Sequence, residues 1–313
     1  MLHSRMIIKI LLLATILLNS AFCGASNPSS GSSQSAIILY DAGWTPAMRL
    51  YQKKVVNRAL QLSKDKHGDY VLQLFSEETS TSRVRELLVR AEQVHLEFGT
   101  SKLNGKRLTS GIGQIQIPIF NGLLGLRSFL VKQSNKSHFE TLSSLDSASN
   151  LVIGQGITWS DSAVYKNIGL KVEESVQYKK LFPMLRRGRF DLIPLSILEA
   201  QSSLIDNQNS SSPLAIVDDV FFYYPKPTYL NYSLSVEGLG ERLSYGFDKM
   251  IQQGEIKRLF YDVFDNTVKT LKPDSATIFI ASNPLITATE NAKFIKDFKN
   301  NHLTAKTRTL VFK

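Results

Sequence analysis

The sequence contains few of the residues that metal sites and disulfide frameworks need. Its 313 residues include one cysteine and five histidines. A disulfide framework or a thiolate zinc cluster needs several cysteines, so a single cysteine excludes both. No two histidines have the spacing that places metal ligands on one face of a helix. We therefore predict that the protein has no metal site and needs no cofactor.

Motifs of the common enzyme classes are also absent from the sequence. There is no Gly-x-Ser-x-Gly elbow, no P-loop lysine and no His-Glu-x-x-His pair. The adjacent acids Asp218 and Asp219 point to opposite faces of an extended segment, so they are not expected to share a proton. We therefore predict a protein that is not an enzyme.

The basic residues do not form the pattern of a nucleic-acid-binding surface. The formal net charge is +10, but lysines and arginines are spread along the chain. Neither a concentrated basic patch with interleaved aromatics nor a known binding motif occurs. We interpret the charge as solvated helix faces and expect no nucleic-acid partner. With 43% hydrophobic and 20% charged residues, the composition is that of a soluble globular protein, long enough for one large core or two smaller ones.

Residues 1–25 have the order of a cleavable signal peptide. A basic start leads into an apolar run over residues 10–18, and small residues follow. The apolar run is too short for a comfortable membrane span, which disfavours a retained anchor. Anchoring as a lipoprotein at Cys23 is disfavoured because the bulky Phe22 precedes it. We therefore predict export to the periplasm, with a flexible leader over residues 26–35.

Hydrophobic periodicity predicts two α/β series, one after the other. The first series has strands over residues 36–40, 70–75 and 94–98, with helices over 46–62 and 83–91. Strands over 114–120 and 126–131 precede the second series, and a strand over 229–234 follows it. That series has strands over 151–153, 170–173 and 190–193, with helices over 161–167, 178–187 and 195–200. Two further helices end near residues 254 and 264. Strands that alternate with helices at these spacings predict parallel sheets with crossover helices.

In order and spacing, these elements resemble solute-binding protein family 3, the receptors usually tied to polar amino-acid ABC transporters. The resemblance covers residues 35–264. It is carried by residues 117–127 (IPIFNGLLGLR), by Gly154-Gln155-Gly156 with Trp159 and Asp161, by Leu185 with Gly188-Arg189-Phe190-Asp191, and by Gly254 with Ile256, Leu259 and Phe260.

The resemblance implies an α/β protein with the two-lobed type II periplasmic binding protein fold. Each lobe would be a mainly parallel sheet flanked by helices, and two crossover hinge strands would join the lobes. Lobe 1 would contain residues 36–124 and 227–313, and lobe 2 residues 125–226. The crossings would fall near 119–125 and 224–229. For the tail beyond residue 271, with a strand and a helix of its own, the hypothesis is that it packs back onto lobe 1.

The resemblance also predicts which ligand contacts are missing. Relatives that bind amino acids hold the α-carboxylate with an arginine in lobe 1 and the α-ammonium with an aspartate in lobe 2. In this chain the two positions correspond to Asn104 and Ser196. A standard α-amino acid is therefore a poor candidate for the ligand.

The candidate ligand-binding residues lie in loops, strand ends and helix starts of both lobes. They are Trp44, Arg83, Thr100, Ser101, Gln155, Gly156, Trp159 and Tyr178. The turn after Gly154 precedes a helix, whose N–H groups and dipole favour an anionic or carbonyl group. Each candidate also has a structural interpretation: packing for the aromatic residues, loop or turn capping for the small and polar ones, and a surface position for the arginine.

These observations favour a monomeric, exported binding protein that closes around a small polar solute. Its partner would be an ABC permease in the membrane. A sensory accessory protein that reports its ligand to a membrane signalling partner, without transport, stays open as an alternative. An enzyme that reuses the two-lobed scaffold is disfavoured because no acid, base and nucleophile occur together.

Overall fold

A computed structural model describes residues 35–100, 102–103, 106–107, 110–157, 159–208 and 211–312. The predicted signal peptide, all but the last residue of the leader, and the positions of Ser101 and Asn104 lie outside the described residues. In chain order the helices and strands are β1 Ser35–Tyr40, α1 Pro46–Leu62, α2 Lys64–His67, β2 Tyr70–Phe75, α3 Thr81–Arg90, β3 Leu96–Gly99, β4 Lys102–Leu103, β5 Lys106–Arg107, β6 Ile112–Ile115, β7 Leu126–Lys132, α4 Lys136–Glu140, α5 Leu145–Ser149, β8 Val152–Gly156, α6 Asp161–Asn167, β9 Lys171–Ser175, α7 Tyr178–Arg186, β10 Ile193–Ser196, α8 Ile197–Asp206, β11 Leu214–Tyr223, β12 Tyr229–Ser233, α9 Leu239–Gln252, α10 Glu255–Lys269, β13 Thr277–Ile280, α11 Ala288–His302 and β14 Arg308–Val311.

The first sheet has the strand order β2-β1-β3-β12-β6. The strands β1, β2 and β3 run parallel, whereas β12 pairs antiparallel with both β3 and β6. Helix α1 begins where the Thr45 side chain accepts a hydrogen bond from the Met48 amide and Pro46 occupies the first turn. Its stripe of Met48, Tyr51, Val55 and Ala59 is buried against this sheet and against α9 and α10.

The second sheet has the order β10-β7-β11-β13-β14. Strand β7 pairs antiparallel with β10 and β11, and the pairs β11–β13 and β13–β14 are parallel. Both five-stranded sheets are thus mixed, which corrects the prediction that each is mainly parallel. The cause is that β7 and β12, the strands that follow the crossing segments, each run antiparallel to both of their neighbours. Strands β8 and β9 form a separate parallel pair.

Before the C-terminal tail, two crossing segments carry the chain between the sheets. Residues 116–125 lead from β6 to β7, and residues 224–228 lead from β11 back to β12. The segments touch at Gly125, where a Cβ atom would lie 1.9 Å from the Tyr224 carbonyl oxygen. The absence of a side chain at residue 125 is therefore required for this approach. Because β6 ends at Ile115, the strand predicted over 114–120 is too long.

The C-terminal tail crosses to the second sheet, where it supplies the strands β13 and β14. For these strands the hypothesis of packing onto lobe 1 is wrong. Helix α11 lies over the junction: its Phe298 ring stacks on Tyr223 with centroids 3.6 Å apart, and His302 Nε2 lies 2.8 Å from the Asn121 carbonyl oxygen. The tail thus contacts the first crossing segment and the strand that leads into the second.

One hydrophobic cluster continues from the first sheet to one face of the second sheet. It combines Val55 of α1 and Phe247 of α9 with Phe221 of β11, Ile278 of β13 and Phe298 of α11. A separate cluster covers the other face of the second sheet. Within the described ranges, none of the helices is both long and apolar enough to cross a bilayer.

Candidate functional site

A small cavity lies where the second crossing segment meets helix α6, the end of β3 and the tail. Its volume is about 20 Å³, and it is lined by Thr100, Ser160, Asp161, Val164, Lys226, Pro227, Asn283, Leu285 and Ile286. We call it the front cavity. Its walls combine a carboxylate, an ammonium group and hydroxyl groups with aliphatic side chains. Its volume is that of about one water molecule.

Asp161 is the centre of a buried charged network at this cavity. Its carboxylate accepts from Lys226 Nζ at 2.6 Å and from Arg127 Nη2 at 3.0 Å. The Tyr224 hydroxyl also donates to it. Arg127 Nη1 also donates to Glu199 Oε1 at 3.1 Å. The two cations are thereby balanced by two carboxylates, as burial of charge requires.

The network holds Asp161 ionised. Burial alone would raise the pKa of this carboxyl, but the adjacent Arg127 and Lys226 hold it well below its usual range. Burial lowers the pKa of Lys226, and Arg127 adds to that effect, whereas Asp161 opposes it. Lys226 is therefore the group of the network that loses its proton more readily than it would in water.

Four different elements position these side chains. Arg127 projects from β7, and Asp161 occupies the first turn of α6, where a carboxylate interacts favourably with the helix dipole. Lys226 lies on the second crossing segment between two prolines. Glu199 is held in the first turn of α8 by a capping box with Ser196.

Ser196, at which the resemblance predicts the position of the relatives' aspartate, has a structural role. Its hydroxyl accepts from the Leu198 amide, and its own amide donates to Glu199 Oε1 at 2.8 Å. It is fully buried. Ser196 therefore caps α8 and offers no charge to a ligand.

Four of the predicted ligand-binding residues lie on the elements around β8. The rings of Trp159 and Tyr178 are 5.8 Å apart, and the Tyr178 hydroxyl is 2.8 Å from Ser203 Oγ. At Gly156 a Cβ atom would lie 2.8 Å from Trp159 Nε1, so the indole packs directly against this glycine. Gln155 is fully buried, and its amide group has no hydrogen-bond partner among the described residues.

The remaining predicted residues are dispersed. Trp44 stacks on Phe120 with ring centroids 5.8 Å apart. Arg83 is exposed and forms an ion pair with Glu86 at 2.7 Å. Thr100 lines the front cavity, so it is the one described candidate that contacts this space. For all eight candidates, a ligand contact stays a prediction.

Sequence reasoning missed the principal polar groups of the front cavity. Asp161 and Arg127 were identified as residues that carry the resemblance, and Lys226 as part of a hinge, but none as a site residue. Asn283 lies in the tail, where its Nδ2 donates to the Pro225 carbonyl oxygen at 2.8 Å. Two features of the sequence could have indicated this site: an aspartate at the start of a helix and a lysine between two prolines. No group of three or more described His, Cys, Asp or Glu side chains is placed to hold a metal ion.

No protein-family model and no curated protein matches the chain. Solved structures do match it. The probable amino-acid ABC transporter extracellular-binding protein ytmK from Bacillus subtilis matches at 13% identity with a TM-score of 0.53, over 74% of this chain and 97% of that one. The GluR0 ligand-binding core in complex with L-glutamate matches at 9% identity with a TM-score of 0.51, over 74% and 99%.

A third match is the amino acid ABC transporter substrate-binding protein AbpA from Streptococcus pneumoniae Canada MDR_19A, bound to L-arginine. Its identity is 14% and its TM-score 0.50, over 74% of this chain and 96% of that one. At such identities the likeness establishes the fold. The chain has the two-lobed type II periplasmic binding protein fold, as predicted.

Proposed function

We propose that this protein is a non-enzymatic, periplasmic solute-binding protein that works with an ABC-type permease. The observation that supports it most is the front cavity, where the Asp161–Lys226 pair joins helix α6 to the second crossing segment. Two of the matched structures hold amino acids, and ligand pockets commonly occur between domains with a few convergent polar groups.

The binding mechanism we propose is hinge closure. A cavity of about 20 Å³ has no room for a metabolite, so entry requires the two sheets to separate. The first crossing segment contains Asn121 and Gly122, both at positive φ, and hinges need only a few such positions. A solute that contacts both sides then favours the closed state by its difference in affinity between the two states.

The proposed ligand is a small polar solute other than a standard α-amino acid. The Asp161 carboxylate already has two cationic partners, so an ammonium group would compete with Arg127 and Lys226 for it. A solute with hydroxyl or carbonyl groups contacts the Ser160 hydroxyl and leaves the ion pairs intact. The aliphatic wall that includes Val164 suits its carbon skeleton.

The test is a thermal-shift and calorimetric screen of polar metabolites, followed by a variant that fills the cavity. Ser160 is exposed at the mouth of the cavity, and its side chain makes no capping hydrogen bond. The change Ser160→Leu is therefore expected to weaken solute binding at least tenfold without unfolding the protein. Ser244→Leu, at an exposed serine of α9, is the matched control and should bind as the unmodified protein does.

Two outcomes contradict the proposal. If no solute stabilises the protein, the binding function is wrong. If a solute binds Ser160→Leu as tightly as the control variant, the location is wrong. Uptake of the identified solute that is lost on deletion distinguishes transport from sensing.

A further inference from the structure

The second sheet carries another cavity on the face opposite Arg127. Its volume is about 390 Å³, and it lies between α8, the end of α10 and strands β7 and β11. We call it the rear cavity. It is far larger than the front cavity and lies within the range of small-molecule sites.

A defect in strand pairing opens the rear cavity. Ile216 of β11 pairs with Leu130 of β7, but the next pair joins Phe221 with Ser128. The register therefore shifts, and the residues between Ile216 and Phe221 bulge away from β7. Bulges of this kind are frequent next to functional sites.

Ser128 forms the polar floor of the rear cavity. Alternation along β7 places its side chain on the face opposite Arg127 and Phe129. The residue is only 5% exposed, and it lines the cavity beside its cross-strand neighbour Phe221. No other described residue forms a hydrogen bond with its hydroxyl group. The hydroxyl oxygen is not sealed from the cavity, so water or a ligand in the cavity can pair with it.

The mouth of the rear cavity is negative. Asp218 and Asp219 lie on the bulge, and the C-terminal turn of α10 contributes the negative end of its dipole. Asp218 is neutralised by Lys136 at 2.7 Å. Asp219 accepts from Ser275 Oγ at 2.7 Å, and within the described part of the chain it has no ion-pair partner. One carboxylate at this cavity is therefore uncompensated.

The rest of the wall is mixed: Gln201, Asn266, Thr267 and Thr270 give it a polar side, and aliphatic and aromatic side chains give it an apolar side. The apolar side consists of Ile197, Ala200, Ile216, Val217, Phe221 and Leu271. At about 30 Å³ per water molecule, the cavity has room for about a dozen non-hydrogen atoms. We propose that the rear cavity binds a small organic ammonium ion with an apolar, ring-sized body: the ammonium pairs with Asp219, and the body packs on the aliphatic wall above Ser128.

This site is independent of the front cavity and of the proposed solute-binding function. Its probe series is 3-phenylpropylammonium, the neutral 3-phenylpropan-1-ol and the anionic 3-phenylpropanoate. Binding is measured by calorimetry and by the amide shifts of the protein in NMR spectra. The ammonium ion is expected to bind at least tenfold more tightly than the alcohol, and to shift the amides of Ser128 and Thr267 but not that of Ser160.

Two variants and a control test the contacts. Asp219 has φ 55°, a conformation that asparagine also tolerates, so Asp219→Asn removes the charge without straining the turn. It should abolish the preference for the ammonium ion over the alcohol and leave the affinity for the alcohol unchanged. Ser128→Leu fills the floor and should weaken both ligands at least tenfold. Asp248→Asn, an exposed carboxylate of α9, makes the same charge change elsewhere and should have no effect.

The proposal is wrong if none of the three probes binds at millimolar concentration, if the alcohol or the carboxylate binds as tightly as the ammonium ion, or if Asp219→Asn keeps the preference. Because Asp219→Asn retains the acceptor for Ser275, its result stands even if Ser128→Leu fails to fold.

Discussion

The charged network at the front cavity predicts an asymmetry between its members. Replacing Asp161 with asparagine should destabilise the protein far more than replacing Lys226 with methionine. Asp161 is the shared partner of the buried Arg127 and the partly buried Lys226, whereas Lys226 is one of two cations on the same carboxylate. Removal of Asp161 leaves both cations with Glu199 alone, and removal of Lys226 leaves the Arg127–Asp161 pair complete.

The contact distances give the expected magnitudes. At about 3 Å and an effective dielectric constant of about 20, each pair attracts by about 5–6 kcal/mol before the desolvation of the charges is subtracted. Leaving a buried charge without its partner costs about 3–5 kcal/mol. We therefore expect Asp161→Asn to lower the free energy of unfolding by about 3–5 kcal/mol. For Lys226→Met we expect about 1 kcal/mol or less, because burial already disfavours the charged lysine.

Urea unfolding at neutral pH, followed by circular dichroism, measures both values. Tyr224→Phe is the control: it removes a hydrogen bond to the same carboxylate without changing the charge, and should cost about 1.5–3 kcal/mol. If the two charge-removing variants are equally stable, or if Lys226→Met is the less stable one, Asp161 is not the centre of the network.

Three further changes test the crossing segments and the tail. Phe298→Ala should cost about 3–5 kcal/mol in urea unfolding, because the ring is buried and stacks on Tyr223. Gly125→Ala should lower the free energy of unfolding by more than about 2 kcal/mol, because its Cβ would overlap the other crossing segment. Gly169→Ala is the control: this glycine has a positive φ but lies in open space, so the change should cost about 1 kcal/mol. Burial lowers the pKa of His302 from 6.5, so the unfolded state binds this proton at a higher pH than the folded state does. The stability of the protein should therefore fall as the pH drops below about 6.5. In thermal unfolding scans, His302→Gln should reduce that fall.

The fold could be predicted from the sequence because its main elements are long and periodic. The buried stripe of α1 and the glycine- and proline-rich crossings have local signals, and the structure has both. Strand β11 was missed because Asp218 and Asp219 interrupt its apolar run at the bulge. Strand β14 begins with Arg308 and Thr309, and a polar edge strand lacks the alternation that identifies a buried one.

The front cavity could not be predicted to the same extent, because its charges come from distant parts of the chain. Asp161 lies 34 positions from Arg127 and 65 from Lys226. Taken singly, Asp161 indicates only a helix start, Arg127 only a strand residue and Lys226 only a lysine of a hinge. Only tertiary structure brings them within hydrogen-bond distance, and a single sequence contains no signal of that proximity.

The tail connects the proposed mechanism to the stability of the described state. It contacts the first crossing segment through His302 and the second through Asn283, which donates to the Pro225 carbonyl oxygen. Separation of the sheets must break these contacts or move the tail with one sheet, and either change costs free energy. The apparent affinity for a solute falls in proportion to the population of the state that can admit it. If that state is about 1% of the molecules, a solute binds about 100-fold more weakly than its contacts alone would allow. The tail, which also contributes Asn283, Leu285 and Ile286 to the cavity wall, is therefore expected to set the affinity of the front cavity.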